Sequence, residues 1–155
     1  AAERTKSGLI SILATPGTVK RDYTFDLIRQ FAPEVAVTLV GATGLARIAE
    51  EKLAGRPVDR ARLAAETAPC FREKGGRRTD TIVLGCTHYP FLLEEMRELA
   101  PWSVEWIDPA PAIARRLADV IEAPDADAAR FERYISTAGE AFDSLPFIGG
   151  NPHVS

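Results

Sequence analysis

Asp80-Thr81-Ile82-Val83-Leu84-Gly85-Cys86-Thr87-His88-Tyr89-Pro90-Phe91 changes character part-way along. Thr81 to Leu84 is an apolar run of strand length, Gly85 closes it, and Pro90 is a residue favoured in the first turn of a helix. A thiol and an imidazole therefore sit where a strand ends and a helix begins, which is where open α/β sheets carry their chemistry. A helix starting at Pro90 or Phe91 would aim unpaired N–H groups and the positive end of its dipole at Cys86, favouring thiolate over thiol.

Strand-length runs alternate with helical periods on both sides of this stretch, the pattern of parallel βαβ units and an α/β fold. Gly8 to Ala14 reads as a strand and Thr15-Pro16-Gly17-Thr18 as a turn. Thr18 is placed to cap a helix carrying Val19, Tyr23, Leu27, Ile28 and Phe31 on one side, which Pro33 ends. Val35 to Val40 makes the next strand. A helix from about Thr43 to Ala54 presents Leu45, Ile48, Ala49 and Leu53, with Gly55 behind it. Asp59 can cap another, carrying Leu63, Ala64 and Phe71, which Pro69 should kink or end early and Gly75-Gly76 closes. Beyond the Cys86 segment come a helix with Phe91, Leu92, Met96 and Leu99 inward, a strand over Val104 to Ile107, and a helix with Ile113, Leu117, Val120 and Ile121. Ala123-Pro124-Asp125-Ala126-Asp127 reads as a break, Phe131 to Ser136 as a short strand, and Gly149-Gly150-Asn151-Pro152 as a frayed end.

The Asp80 to Phe91 stretch resembles the second catalytic-cysteine motif of the cofactor-independent glutamate racemases, within the aspartate/glutamate racemase superfamily. Ile12-Leu13-Ala14-Thr15-Pro16-Gly17-Thr18-Val19 and Ile107-Asp108-Pro109-Ala110-Pro111-Ala112-Ile113-Ala114 agree with that family in the same order. Members carry an earlier half with an Asp-Ser segment near its start and a first catalytic cysteine in a Cys-Asn-Thr motif, and neither has a counterpart here. The resemblance implies two similar α/β lobes, the C-terminal segment crossing back to complete the first. On that basis residues 1–106 form the second lobe, and residues 107–155 belong to a first lobe whose N-terminal part is missing, in a fragment or a truncated relative. Ile113, Leu117, Val120 and Phe131 would then present apolar surface for that missing lobe or for a second copy of the chain, as in a homodimer.

The resemblance also implies a reaction: L-glutamate and D-glutamate interconverted without a cofactor, for peptidoglycan synthesis. Inverting an α-carbon removes a weakly acidic proton on one face and returns one on the other, and a thiol serves as either base or acid. Cys86 is expected to be one of the two groups and His88 its helper. Thr87 and His88, with Thr15 and Thr18 beside their glycine-containing turn, are the expected substrate contacts. Glu50 falls near a family glutamate that can lie close to the motif histidine, although Gly41-Ala42-Thr43 departs from the Cys-Pro common before it. Without the resemblance, the plainer readings are a sheet-buried cysteine and a turn-capping histidine, with threonines that only cap. Cys70, after Pro69 and with no histidine beside it, reads as ordinary packing, and Asp108 as a helix cap.

Composition limits the alternatives. The chain has 155 residues, 46% hydrophobic and 26% charged, with net charge −3, so it suits a globular domain and gives no electrostatic reason to expect nucleic acid. No apolar stretch is long enough to span a bilayer, and Ala1-Ala2-Glu3-Arg4-Thr5-Lys6 is not a hydrophobic signal; the expected compartment is the cytoplasm. Two cysteines exclude a disulfide scaffold and a structural zinc cluster. Lys6, Lys20, Lys52 and Lys74 stand in polar surroundings with no phosphate loop, so pyridoxal chemistry is not expected, and no cofactor or metal is. A non-catalytic binding module for an amino acid or a protein, and a Cys/His hydrolase, are the rival readings.

Overall fold

The computed structural model describes residues 1–121. In chain order these form β1 (Leu9–Ala14), the one-turn α1 (Pro16–Val19), α2 (Asp22–Phe31), β2 (Ala36–Gly41), α3 (Leu45–Leu53) and α4 (Arg60–Thr67). There follow the two-residue strands β3 (Glu73–Lys74) and β4 (Arg77–Arg78), then β5 (Thr81–Gly85), α5 (Leu93–Leu99), β6 (Glu105–Ile107) and α6 (Ala110–Val120). The main sheet runs β2-β1-β5-β6 with every neighbouring pair parallel, the α/β architecture expected.

Alternation along the strands gives the sheet two apolar faces. Leu13, Val40, Ile82 and Leu84 share a core with Leu45, Ile48 and Ala49 of α3, Leu63 of α4, and Leu92 and Met96 around α5. Each fully buried leucine here contributes about 1.5–3 kcal/mol. On the opposite face, Ile10, Ile12, Val37 and Val83 meet α2 along a groove of about 660 Å³. That cover is thin. Tyr23 and Phe31, expected on the inner side of α2, are exposed, and so are Ile113, Leu117, Val120 and Ile121 of α6. The exposed α6 stripe is the apolar surface anticipated from the sequence, while Phe131, the short strand and the frayed end lie outside the described residues.

Several local expectations are corrected. Thr18 does not cap α2: it lies inside α1, and Arg21 occupies the cap position with no side-chain hydrogen bond. Gly75-Gly76 does not simply close the preceding segment but turns the β3–β4 hairpin, both glycines at positive φ (58° and 74°), where a side chain would be strained. α3 starts at Leu45, its first bond running from the Ile48 N–H to the Gly44 carbonyl at 3.1 Å, and the Glu66 carboxylate accepts the Gly44 N–H at 2.9 Å. Asp59 caps α4 as expected, accepting the Arg62 N–H at 3.0 Å.

Candidate active site

Ala14 is in register with Gly41 on one side and Gly85 on the other, so the C-terminal edge of the sheet ends in a row of the smallest residues. A Cβ on Gly85 would come within 2.9 Å of the Ala14 Cβ, and one on Gly41 within 3.1 Å of the Pro16 backbone. The row lets three strand ends crowd together. It brings the turn at Thr15 and the turn at Cys86 side by side above the sheet.

Past Gly85 the chain enters a tight turn. The Tyr89 N–H donates to the Cys86 carbonyl at 3.2 Å and the Phe91 N–H to the His88 carbonyl at 3.2 Å, making a 3₁₀ turn over Tyr89–Leu92 before α5. The helix expected from Pro90 or Phe91, with its N–H groups turned on Cys86, is therefore not what forms: these donors are used inside the turn. What faces the sulfur is the His88 ring. Cys86 Sγ lies 3.8 Å from His88 Nδ1, within reach of a weak S–H···N or N–H···S contact.

The other ring nitrogen, Nε2, lies 3.5 Å from Glu50 Oε1 on α3. Thiol, imidazole and carboxylate thus form one line across two βα units. It is open to solvent: the His88 side chain is 38% exposed and that of Glu50 66%. Cys86 is half-buried and Thr87 exposed. The Thr15 and Thr18 hydroxyls lie 3.0 Å apart, bonded to each other, and the Thr18 carbonyl accepts the Thr24 hydroxyl at 2.7 Å. The site residues named from the sequence divide into two neighbouring groups, Cys86-Thr87-His88 with Glu50 and Thr15 with Thr18.

Cys70 is the contrast. It is fully buried in a 3₁₀ turn, and burial pushes its thiol from 9.0 up to about 12, so it has no role as an acid or base near neutrality. Asp108, expected to cap α6, lies one residue before the cap position, which Pro109 occupies, and accepts the Ala110 N–H at 2.9 Å from there.

Two groups the sequence did not single out hold this site. Tyr89, fully buried, donates its hydroxyl to the Ala42 carbonyl at 3.4 Å, and burial pushes its phenol further above its ordinary value. Lys52 does stand among polar groups, as expected, but they are specific ones: its side chain, 33% exposed, donates to the Phe91 carbonyl at 2.9 Å and pairs with Glu95. A partial signal was available, since Lys52 follows Ile48 by four residues and Ala49 by three and so falls beside the buried stripe of α3. Among the described residues no helix is long and apolar enough to cross a membrane.

The chain is similar to known proteins over most of its length. Residues 1–117 match the family model described as Asp/Glu/Hydantoin racemase. The chain is 60% identical over 127 residues to the glutamate racemase of Brucella ovis, covering 82% of this chain and 46% of that one. It is 51% identical over 152 residues to that of Agrobacterium fabrum, covering 98% and 52%. The crystal structure of Escherichia coli glutamate racemase in complex with L-glutamate and the activator UDP-MurNAc-Ala superposes with a TM-score of 0.69 at 40% identity, over 76% of this chain and 43% of that one. The chain spans about half the length of the curated relatives it matches. With a parallel sheet, a Cys-Thr-His turn at its C-terminal edge and a family model matched along most of its length, the chain belongs to the Asp/Glu/hydantoin racemase family.

Proposed function

We propose that this chain is the later part of a glutamate racemase that interconverts L-glutamate and D-glutamate by cofactor-independent two-base proton transfer. The observation that carries the reading is the Cys86–His88–Glu50 line, a thiol 3.8 Å from an imidazole that lies 3.5 Å from a carboxylate. Cys86 takes the α-proton from one face of the substrate or returns it there. His88 holds the thiolate and relays the proton, and Glu50 fixes the ring and balances its charge when protonated. Thr87 and His88, with Thr15 and Thr18 on the next strand end, receive the charged groups of the amino acid. The bound L-glutamate of the E. coli neighbour and the names of the relatives support glutamate over aspartate.

The second base comes from outside this chain, because Cys70, its other thiol, is sealed in the core. Residues 1–106 are then the second lobe of the enzyme, and residues from 107 onward belong with the first. The exposed stripe of α6 supports that division. The product serves cell-wall peptidoglycan, made in the cytoplasm. A thiol–imidazole–carboxylate line also suits a Cys/His hydrolase, but the relative from Brucella ovis and the E. coli structure that this chain is similar to are glutamate racemases, which supports the racemase reading.

Proton NMR of L-glutamate in D₂O, with optical rotation followed in parallel, tests the reading. The expected result is loss of the α-proton signal with inversion for the complete enzyme, and none for the 155-residue chain until the missing half is added. A complete enzyme that leaves the α-proton in place overturns it, and a burst of product from an activated ester would then favour the hydrolase.

A further inference from the structure

Glu50 is too exposed to fix its own place against His88, so the position of α3 as a whole must do it. Two bonds join α3 and the loop before it to the turn that carries the His88 ring: Tyr89 to the Ala42 carbonyl and Lys52 to the Phe91 carbonyl. Lys52 is the unusual one. It is half-buried at the edge of the α3 stripe that Ile48 and Ala49 bury, where an ammonium partly withdrawn from water needs partners. Its partners are complete: besides the Phe91 carbonyl at 2.9 Å, it meets both oxygens of Glu95 on α5, at 2.7 and 2.9 Å. The Phe91 N–H in turn bonds the His88 carbonyl at 3.2 Å, so Lys52 is one residue removed from the backbone of His88 itself.

We propose that Lys52, clamped between the Phe91 carbonyl and Glu95, is a positioning residue that sets the Glu50–His88 contact by fixing α3 against the turn carrying the His88 ring. The proposal rests on the racemase reading above. The Glu95 carboxyl is consistent with a working clamp: burial tends to raise its pKa, yet the Lys52 hydrogen bond carries it below its ordinary value. Arg47, on the same helix, offers a built-in comparison, because its partner Glu51 lies on α3 as well and the pair ties that helix to nothing else.

The test uses the complete enzyme with Lys52→Met, Lys52→Arg, Arg47→Met, and the paired change Lys52→Met/Glu95→Leu. The pair removes both charges at once, so no buried carboxylate is stranded and folding is preserved. In the pair, kcat should fall about tenfold with KM held within about twofold, the signature of misplaced rather than lost groups. Lys52→Arg should recover most of the rate and Arg47→Met should match the unaltered enzyme. In a Glu50→Gln background the same paired change should cost less than about twofold, since the contact it positions is already gone. Equal losses in both backgrounds, or an unchanged kcat, overturn the proposal. The imidazole NMR signals of His88, assigned by their loss in His88→Asn, give a readout independent of turnover. They should move in Lys52→Met and stay fixed in Arg47→Met; unmoved signals overturn the clamp even if the unaltered enzyme proves not to racemise glutamate, a result that would instead sink the racemase reading.

Discussion

The two ends of β5 are built on opposite terms. At its N-terminal end Asp80 is saturated: Oδ2 accepts the N–H groups of Lys6 and Ser7, both at 2.7 Å, and Oδ1 the hydroxyls of Thr5 at 2.6 Å and Thr81 at 3.0 Å. Its backbone also joins both neighbours, the N–H to the Leu9 carbonyl and the carbonyl to the Glu105 N–H. At the C-terminal end, Cys86 and His88 have one long contact with each other and one with Glu50. A group with every hydrogen bond made is held in one charge state and fixes the fold. A group with bonds left unmade can still exchange a proton and meet a ligand.

The largest effect should come from breaking the open end. Cys86→Ala in the complete enzyme should lower Cα exchange about 10³-fold or more, while denaturant midpoints show a stability change within about 1 kcal/mol. His88→Asn should cost about 10²-fold in kcat and leave the melting temperature near that of the unaltered protein. A large fall in melting temperature with turnover intact would return Cys86 and His88 to a structural role. The saturated end should behave the other way: Asp80→Ala should cost about 2 kcal/mol in urea unfolding, with kcat unchanged. If Asp80→Ala instead slowed turnover without loss of stability, the division of labour between the ends would be wrong.

The sequence carries the open end more clearly than the closed one. Cys86 and His88 are separated by one residue in a turn, so their proximity needs no long-range knowledge. The strands were legible because each is a continuous apolar run, as parallel strands covered on both faces must be. Glu50 could be brought to His88 only through the family resemblance, since nothing local links α3 to the β5 turn. The β3–β4 hairpin escaped because two-residue strands are shorter than any period, and Gly75-Gly76 reads equally well as a helix stop. The Asp80 knot was invisible for a related reason: three of its four donors come from Thr5, Lys6 and Ser7, which have no periodicity and become partners only when β1 pairs with β5. Lys52 was passed over because its partners, the Phe91 carbonyl and Glu95, lie 39 and 43 residues further along and no local pattern links them to α3.

Acid sharpens the comparison with the smallest effect. Burial of Asp80 tends to raise its pKa, but the bonds from Thr5, Ser7, Lys6 and Thr81 outweigh it and lower the carboxyl from 3.8 to about 2. The folded protein therefore keeps Asp80 ionised at a pH where the unfolded chain has taken up a proton, so the unfolded state binds more protons and stability rises with pH across that window. The contribution is complete above about pH 4 and disappears as pH falls through about 2. Other carboxylates titrate in the same range, so the informative quantity is the difference in unfolding free energy between the unaltered protein and Asp80→Asn. That difference should be constant from neutrality down to about pH 4 and then shrink toward pH 2. A difference that stayed flat throughout would mean that the knot works through its shape alone, and that charge at the closed end of β5 matters no more than an amide would.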